Sequence, residues 1–147
     1  IYSGTVAAAT EGFLLGIPSI AISLIGSSHG NYLTAARVAV DMVKHFNEKA
    51  IKHSMLLNIN VPDIDYQFLE GIEVTRLGRR HKAEPVIKFH SPRGETLYWV
   101  GAAGAAQDAG KGTDFYAVQH NKVSVTPLQI DLTQYDQLDI VSKWLEN

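Results

Sequence analysis

The first seventy residues alternate between helical and strand patterns of apolar positions. Ser3 to Leu15 begins with a good N-cap, continues as an alanine-rich run and is followed by a glycine and a proline, which predicts a helix. Ser19 to Ile25 and Met55 to Val61 are apolar almost throughout, as in parallel strands that are covered on both faces. Between them, after Asn31, apolar residues recur at three- and four-residue steps. The order helix, strand, helix, strand predicts a parallel α/β sheet over residues 1–70.

The pattern becomes β-rich over residues 71–120. Ile72 to Leu77 alternates as a strand does. Pro85 to Phe89 and Thr96 to Val100 flank a turn that contains proline and glycine, which predicts a long hairpin. Gly101 to Asp114 is rich in glycine and alanine and is predicted to be a loop.

A last strand and a terminal helix are predicted in residues 121–147. Val123 to Leu132 has a strand pattern, and Pro127 within it favours an edge position or a bulge. Thr133, with an aspartate three residues later, is typical of the start of a helix that continues through Trp144. The apolar stripe of this helix consists of Leu138, Val141, Trp144 and Leu145, and it requires a surface to pack on. No linker divides the chain, so we expect the three segments to belong to one domain.

Composition excludes several classes of protein. The 147 residues are 46% hydrophobic and 19% charged, which argues against disorder, and they contain no cysteine for a disulfide, a thiolate zinc site or a nucleophile. The net charge of −2 gives no sign of binding to a nucleic acid polymer or to an anionic membrane. The longest weakly polar stretch, Gly12 to Gly26, is shorter than the ~20 residues that a membrane-spanning helix needs. We expect a cytoplasmic protein.

Positive charge is concentrated between Arg76 and Arg93. This segment holds six lysine and arginine residues against one acid, Glu84, which is a net charge of +5. Such a segment can attract an anionic substrate or pair with an acidic partner surface. Ordinary solvated arginines on a hairpin explain the same pattern.

Candidate chemistry begins at the first predicted helix. Ser3, Gly4 and Thr5 place two hydroxyls and a glycine where free backbone N–H groups and the positive end of the helix dipole meet. This arrangement can bind a phosphate, although an ordinary helix cap explains the same residues. A serine esterase that uses Ser3 is a weaker alternative, because no Gly-x-Ser-x-Gly elbow surrounds this residue.

Other candidate motifs lack a diagnostic residue. A nucleotide P-loop fails at Ala105, which stands in place of the first glycine, and at Gly112, which stands in place of the serine or threonine. The dinucleotide fingerprint fails because Phe115 occupies the position of its last glycine. The six histidines lack the close spacing of metal ligands. Spacing alone therefore assigns no metal ligand in this sequence.

Six motifs in order resemble one family closely: Tyr2–Gly12 (YSGTVAAATEG), Leu57–Pro62 (LNINVP), Gly71–His81 (GIEVTRLGRRH), Tyr98–Trp99 (YW), Asp108–Phe115 (DAGKGTDF) and Val123–Leu128 (VSVTPL). The family is that of the SurE survival proteins, which are metal-dependent 5′/3′-nucleotidases of bacteria and their relatives. The resemblance covers essentially the whole chain and is strongest to the proteobacterial members.

The resemblance implies a fold, a reaction and site residues. The fold is a Rossmann-like α/β/α sandwich with a β-rich hairpin extension and a C-terminal helix. The reaction is hydrolysis of nucleoside 5′- and 3′-monophosphates, and in some members of short-chain polyphosphate. Ser3, Gly4 and Thr5 correspond to the phosphate-binding start of a helix. Thr113 and Asp114 are weaker candidates for lining the site.

The resemblance also implies a cofactor and an assembly. The family binds a divalent cation, Mg²⁺ or Mn²⁺, through residues that correspond to positions before Ile1, so we expect the metal ligands and catalytic carboxylates outside this sequence, in an N-terminal part that it lacks. Family members associate as homodimers or homotetramers with an exchanged C-terminal helix. The alternative is a non-catalytic fragment that binds anions and self-associates.

Overall fold

Four α-helices and eight strands make up the described part of the computed structural model, which comprises residues 3–26, 30–48, 55–81, 85–101 and 103–146. The helices are α1 (Gly4–Leu14), α2 (Tyr32–Glu48), α3 (Asp114–Gln119) and α4 (Leu138–Leu145). The strands are β1 (Ser19–Ile25), β2 (Leu56–Pro62), β3 (Ile72–Val74), β4 (Arg79–Arg80), β5 (Ile87–His90), β6 (Thr96–Trp99), β7 (Ala106–Asp108) and β8 (Val123–Leu128). Short 3₁₀ helices cover Tyr66–Phe68 and Tyr135–Gln137.

The main sheet has the strand order β1-β2-β8-β3. The predicted parallel pairing is confirmed for β1 and β2, but β8 runs antiparallel to β2, so the sheet as a whole is mixed. Of the two alternatives predicted at Pro127, the bulge is wrong, because the register of β8 with β2 is regular; β8 as a whole is central, but at Pro127 it has a neighbouring strand on one side only. Proline fits there because β3 pairs only with Val123–Val125 and ends before it.

Helices α1 and α2 cover opposite faces of the sheet. Ala9 of α1 packs with Ala21 of β1 on one face, and Val38 of α2 packs with Ile59 of β2 on the other. Successive strand residues point to opposite faces, so the apolar runs of β1 and β2 supply both layers. The arrangement is a Rossmann-like α/β fold.

The β-rich segment contains the predicted hairpin and three elements that the sequence did not predict, β4, β7 and α3. β5 and β6 pair antiparallel, with Ile87 opposite Trp99, as expected. The prediction of a loop from Gly101 to Asp114 is wrong, because β7 lies within it and pairs with β4, and α3 begins at its end. β4 and β7 pair with each other across a long stretch of sequence, and a local pattern does not contain such a contact. α3 has only six residues, which is too short for a clear helical pattern of apolar positions.

The C-terminal segment departs from its predicted boundaries. The last strand ends at Leu128 rather than Leu132, and α4 begins at Leu138 rather than at Thr133. The cause is Asp131, whose carboxylate accepts hydrogen bonds from the Thr133 N–H and the Tyr135 hydroxyl and so forms a turn before the helix. Every residue of α4 is exposed, and its apolar stripe is uncovered in this chain.

Two further expectations concern the chain as a whole. The grouping of residues 1–70, 71–120 and 121–147 into one domain stays a prediction. Across the part of the chain that the structure describes, no helix combines the length and the apolar character that crossing a membrane requires.

Candidate functional site

A cavity of about 450 Å³ opens on the α1 side of the sheet, between the start of α1 and α3. Strands β1 and β2 contribute to its lining, together with the segment that leads into β4. Its volume lies in the range of small-molecule sites, about 300–1,000 Å³. The polar residues that line it are Ser3, Ser23, Asn58, Asn60, Arg80, Asp114 and Gln119. The apolar ones are Val6, Ile25, Leu77, Phe115 and Val118.

The alternation of β2 explains why polar groups face this cavity. Leu57, Ile59 and Val61 belong to the core beneath α2. Asn58 and Asn60 lie between them in the sequence and therefore point to the opposite face, where they line the cavity. Sequence reasoning treated this strand as mostly apolar and missed both asparagines, although their two-residue spacing is a usable signal.

The start of α1 lies at the cavity, because its N-cap residue, Ser3, belongs to the lining. Ser3 has an extended backbone, and its Oγ accepts a hydrogen bond from the Val6 N–H at 3.3 Å. The Ala7 N–H donates to the Ser3 carbonyl at 2.9 Å. No hydrogen bond joins the N–H groups of Gly4 or Thr5 to another described residue, so these groups are available to a ligand. Gly4 and Thr5 are exposed and do not line the cavity themselves.

Thr113 and Asp114 have different surroundings. Thr113 is fully buried, caps α3 by accepting from the Tyr116 N–H and donates to the Gly110 carbonyl. Asp114 lines the cavity and accepts from the N–H of Gly78 at 2.7 Å. The structure thus brings Ser3 and Asp114 to one cavity and leaves Thr113 outside its lining. Their roles toward a substrate stay predictions.

The carboxylate of Asp114 joins three segments. Besides the Gly78 N–H, it accepts from the N–H of Phe115 at 3.0 Å and lies 3.5 Å from the side-chain nitrogen of Asn60. These groups belong to the segment before β4, to α3 and to β2. The aspartate therefore holds the cavity wall together.

Two arginines of the basic segment are used differently. Arg76 makes a bidentate ion pair with Asp108, at 2.6 and 3.0 Å, and these hydrogen bonds hold the pKa of that carboxyl below its usual value. The guanidinium of Arg80 lies 5.0 Å from the ring centre of Phe115 and donates to the Gly104 carbonyl at 3.2 Å. Among the described side chains, no carboxylate pairs with Arg80. The charge of Arg76 is therefore neutralised by Asp108, whereas Arg80 brings positive charge to the cavity.

The described residues do not form a metal site by themselves. Within the described ranges, no group of three or more His, Cys, Asp or Glu side chains could hold a metal ion. Asp63 accepts hydrogen bonds from the backbone and side-chain nitrogens of Asn31, at 2.7 and 3.0 Å, and so has a structural role beside the start of α2.

Comparison with known proteins gives the family. The family model described as Survival protein SurE matches residues 1–84, which is more than half of the chain. The chain belongs to the SurE family. The matched range includes Ser3, Asn58 and Arg80, whereas Asp114 and α3 lie beyond it.

Individual relatives agree with this assignment. The chain is 69% identical over 145 residues to the 5′-nucleotidase SurE of Nitrosomonas europaea and 61% identical over 147 residues to that of Methylobacillus flagellatus. Each comparison covers 99% of this SurE-family chain, which spans 59% of each relative. It is also 44% identical to the SurE protein of Aquifex aeolicus in a crystal structure, with a TM-score of 0.77 over 99% of this chain and 58% of that one. The predicted α/β fold is confirmed.

Close packing at Gly78 gives a test of the cavity wall. A methyl group there would meet the Asp108 carbonyl oxygen and the Phe115 ring. We expect Gly78→Ala to lower the free energy of unfolding by about 1–3 kcal/mol, measured by urea denaturation, because the site has no room to expand. Gly110→Ala is the matched control, since a methyl at Gly110 meets nothing within 4 Å. Equal midpoints for the two variants would contradict this packing.

Proposed function

We propose that the full-length protein is a 5′-nucleotidase, a metal-dependent phosphomonoester hydrolase that acts on nucleoside 5′- and 3′-monophosphates and also on short-chain polyphosphate. The names of the relatives, 5′-nucleotidase SurE, support the first activity. We place the substrate phosphate at Ser3, Gly4 and Thr5. The supporting observation is that Ser3 caps α1 at the cavity while the N–H groups of Gly4 and Thr5 donate to no other described residue.

The start of α1 has the electrostatics for this role. Free N–H groups and the positive end of the helix dipole together attract a phosphate dianion. The oxygen of Ser3 already accepts from Val6, so its hydroxyl hydrogen remains available to donate to a phosphate oxygen. In phosphoryl transfer, negative charge is spread over the equatorial oxygens, and donors that are already oriented stabilise it without reorganisation. Water is the proposed nucleophile.

An isosteric pair of substitutions at Ser3 tests the phosphate position. Asparagine and aspartate both cap helices well, so Ser3→Asn and Ser3→Asp should have similar thermal stability. Only the aspartate places a negative charge beside the phosphate. We expect kcat/KM for a nucleoside 5′-monophosphate to be at least about tenfold lower in Ser3→Asp than in Ser3→Asn, because one close like charge costs more than ~1.4 kcal/mol in a partly buried site. Equal kcat/KM values for the two variants would show that the phosphate does not bind at the start of α1.

Metal dependence is a separate part of the proposal. The family resemblance implies Mg²⁺ or Mn²⁺, and the described residues of this chain supply no complete ligand set. We therefore place the ligands of the ion outside the described residues of this chain.

Chelation tests the metal requirement directly. We expect dialysis of the full-length protein against EDTA to abolish nucleotide hydrolysis, and excess Mg²⁺ or Mn²⁺ to restore it. Dialysis against EDTA that is already saturated with Mg²⁺ is the control for non-specific effects. Turnover that survives metal removal at its original rate would show that the reaction needs no such ion.

We further propose a homodimer or homotetramer in which α4 is exchanged between protomers. The support is the exposure of its apolar stripe, where Trp144 is 73% and Leu145 70% exposed in the isolated chain. Apolar surface of this kind is stabilised by burial against another subunit. The cytoplasmic location, and the absence of a nucleic acid or membrane partner, also stay predictions.

A charge in the α4 stripe tests the assembly. By light scattering after gel filtration, we expect the full-length protein to have a multiple of its chain mass. Trp144→Glu should reduce that mass, because burying an unpaired carboxylate is costly. Asp139→Lys, about 140° around α4 from Trp144 at 100° per residue, should leave the mass unchanged. A wild-type mass equal to one chain would contradict the exchange.

A further inference from the structure

Asn58 presents an unused amide to the cavity. The residue is only 9% exposed and lines the cavity, yet no hydrogen bond joins its side chain to another described residue. An amide offers two donors and an acceptor, and the amide of Asn58 is not among the fully buried side-chain groups, so a ligand in the cavity can reach it. Asn60, the other cavity asparagine of β2, differs because its side-chain nitrogen approaches Asp114. Asn58 is therefore the asparagine of β2 that is open to a ligand.

Arg80 presents unused donors to the same cavity. Of the five N–H groups of its guanidinium, one bonds to the Gly104 carbonyl. Contact with the Phe115 ring holds the guanidinium in place, which reduces the entropy that it loses on binding a ligand. Because Arg76 is already paired with Asp108, the two arginines are not equivalent. Arg80 alone of this pair lines the cavity.

The location of Asn58 and Arg80 in the cavity fits contact with the nucleoside of a substrate rather than with its phosphate. Helix α1 packs on β1 and β2, and α3 packs on β2 and β8. The cavity between the two helices therefore lies on the sheet and extends across neighbouring strands. Adjacent strands lie about 4.8 Å apart, which makes a span of two strands roughly 10 Å. A phosphate at Ser3 occupies one side of this span. The sugar and base attached to it extend toward the other side, where Phe115 and Leu77 supply apolar surface.

We propose that Asn58 and Arg80 bind the nucleoside portion of the substrate and so favour nucleotides over other phosphomonoesters. This inference rests on the proposed nucleotidase function. Ribose hydroxyls and nucleobase edges carry both donors and acceptors, which an amide and a guanidinium fork match, as they do where proteins read base edges. A simple alkyl phosphate offers nothing to either side chain.

Two substrates and a neighbouring arginine provide the test. In the full-length protein, we expect Arg80→Gln to raise KM for a nucleoside 5′-monophosphate by about tenfold or more, the effect of losing a hydrogen bond to a charged group. Because this contact persists from ground state to transition state, kcat should change less than about twofold. Hydrolysis of n-propyl phosphate, whose alkyl group carries no hydrogen-bonding group, should keep its kcat/KM. Arg79→Gln, a change in the same strand outside the cavity lining, should leave both substrates unaffected.

Two further variants keep the inference falsifiable. Arg80→Lys should bind nucleotides nearly as weakly as Arg80→Gln, because an ammonium cannot reproduce the planar fork. Asn58→Leu keeps about the same side-chain size without adding a charge near the phosphate, so it should also raise KM for the nucleotide alone, and a circular dichroism spectrum like that of the wild type confirms that the variant is folded.

The possible failures are distinct. Equal loss of kcat/KM on both substrates in Arg80→Gln would place Arg80 at the phosphate and overturn the inference. Unchanged kinetics on both substrates would also overturn it, by showing that the nucleoside does not contact Arg80. A wild-type protein that hydrolyses n-propyl phosphate but no nucleotide, or no phosphomonoester at all, would instead overturn the proposed function on which the inference depends.

Discussion

The cavity depends on the hydrogen bonds of one carboxylate. Asp114 accepts from the N–H groups of Gly78 and Phe115 and approaches the amide of Asn60, so it ties the segment before β4 and the start of α3 to β2. Arg80 follows Gly78 by two residues, and its guanidinium lies over the ring of Phe115. Asp114 therefore fixes the backbone position on both sides of the contact between Arg80 and Phe115. An aspartate at this position is needed for the shape of the site as much as for its charge.

Strand β2 combines stability and binding in one alternating sequence. Ile59 and Val61 are completely buried on the α2 side, whereas Asn58 and Asn60 face the cavity. The polar face continues into β8, where Ser124 lies opposite Asn60 and its buried hydroxyl lacks a hydrogen-bond partner in the described structure. Polar groups kept from water in this way reduce the free energy of unfolding. Their position beside the cavity is consistent with a sheet face that serves ligand binding rather than packing.

Local sequence signals predict the fold better than the candidate site. β1 has its predicted bounds because its unbroken apolar run is typical of a covered strand. The cap at Ser3 is predictable because its hydrogen bond joins residues only three positions apart. β7 and the pairing of Arg76 with Asp108 join residues about thirty positions apart, which no local pattern contains. For the same reason, the sequence shows a basic segment but does not distinguish the paired Arg76 from Arg80 at the cavity. Placing Asp114 beside Ser3 requires the complete sheet.

The central position of β8 has a consequence for the order in which this protein acquires its structure. β2 and β3 both pair with β8, although Leu56 and its partner Leu128 are far apart in the chain. A chain emerging from the ribosome can form the β1–β2 pair early, but β3 has no partner among the described strands until β8 has been synthesised. Non-local pairing of this kind folds slowly, and it leaves one edge of β2 open in the meantime. Nascent chains of this protein therefore carry an unprotected strand edge from the completion of β2 until β8 is synthesised, and an open edge of this kind is prone to aggregation.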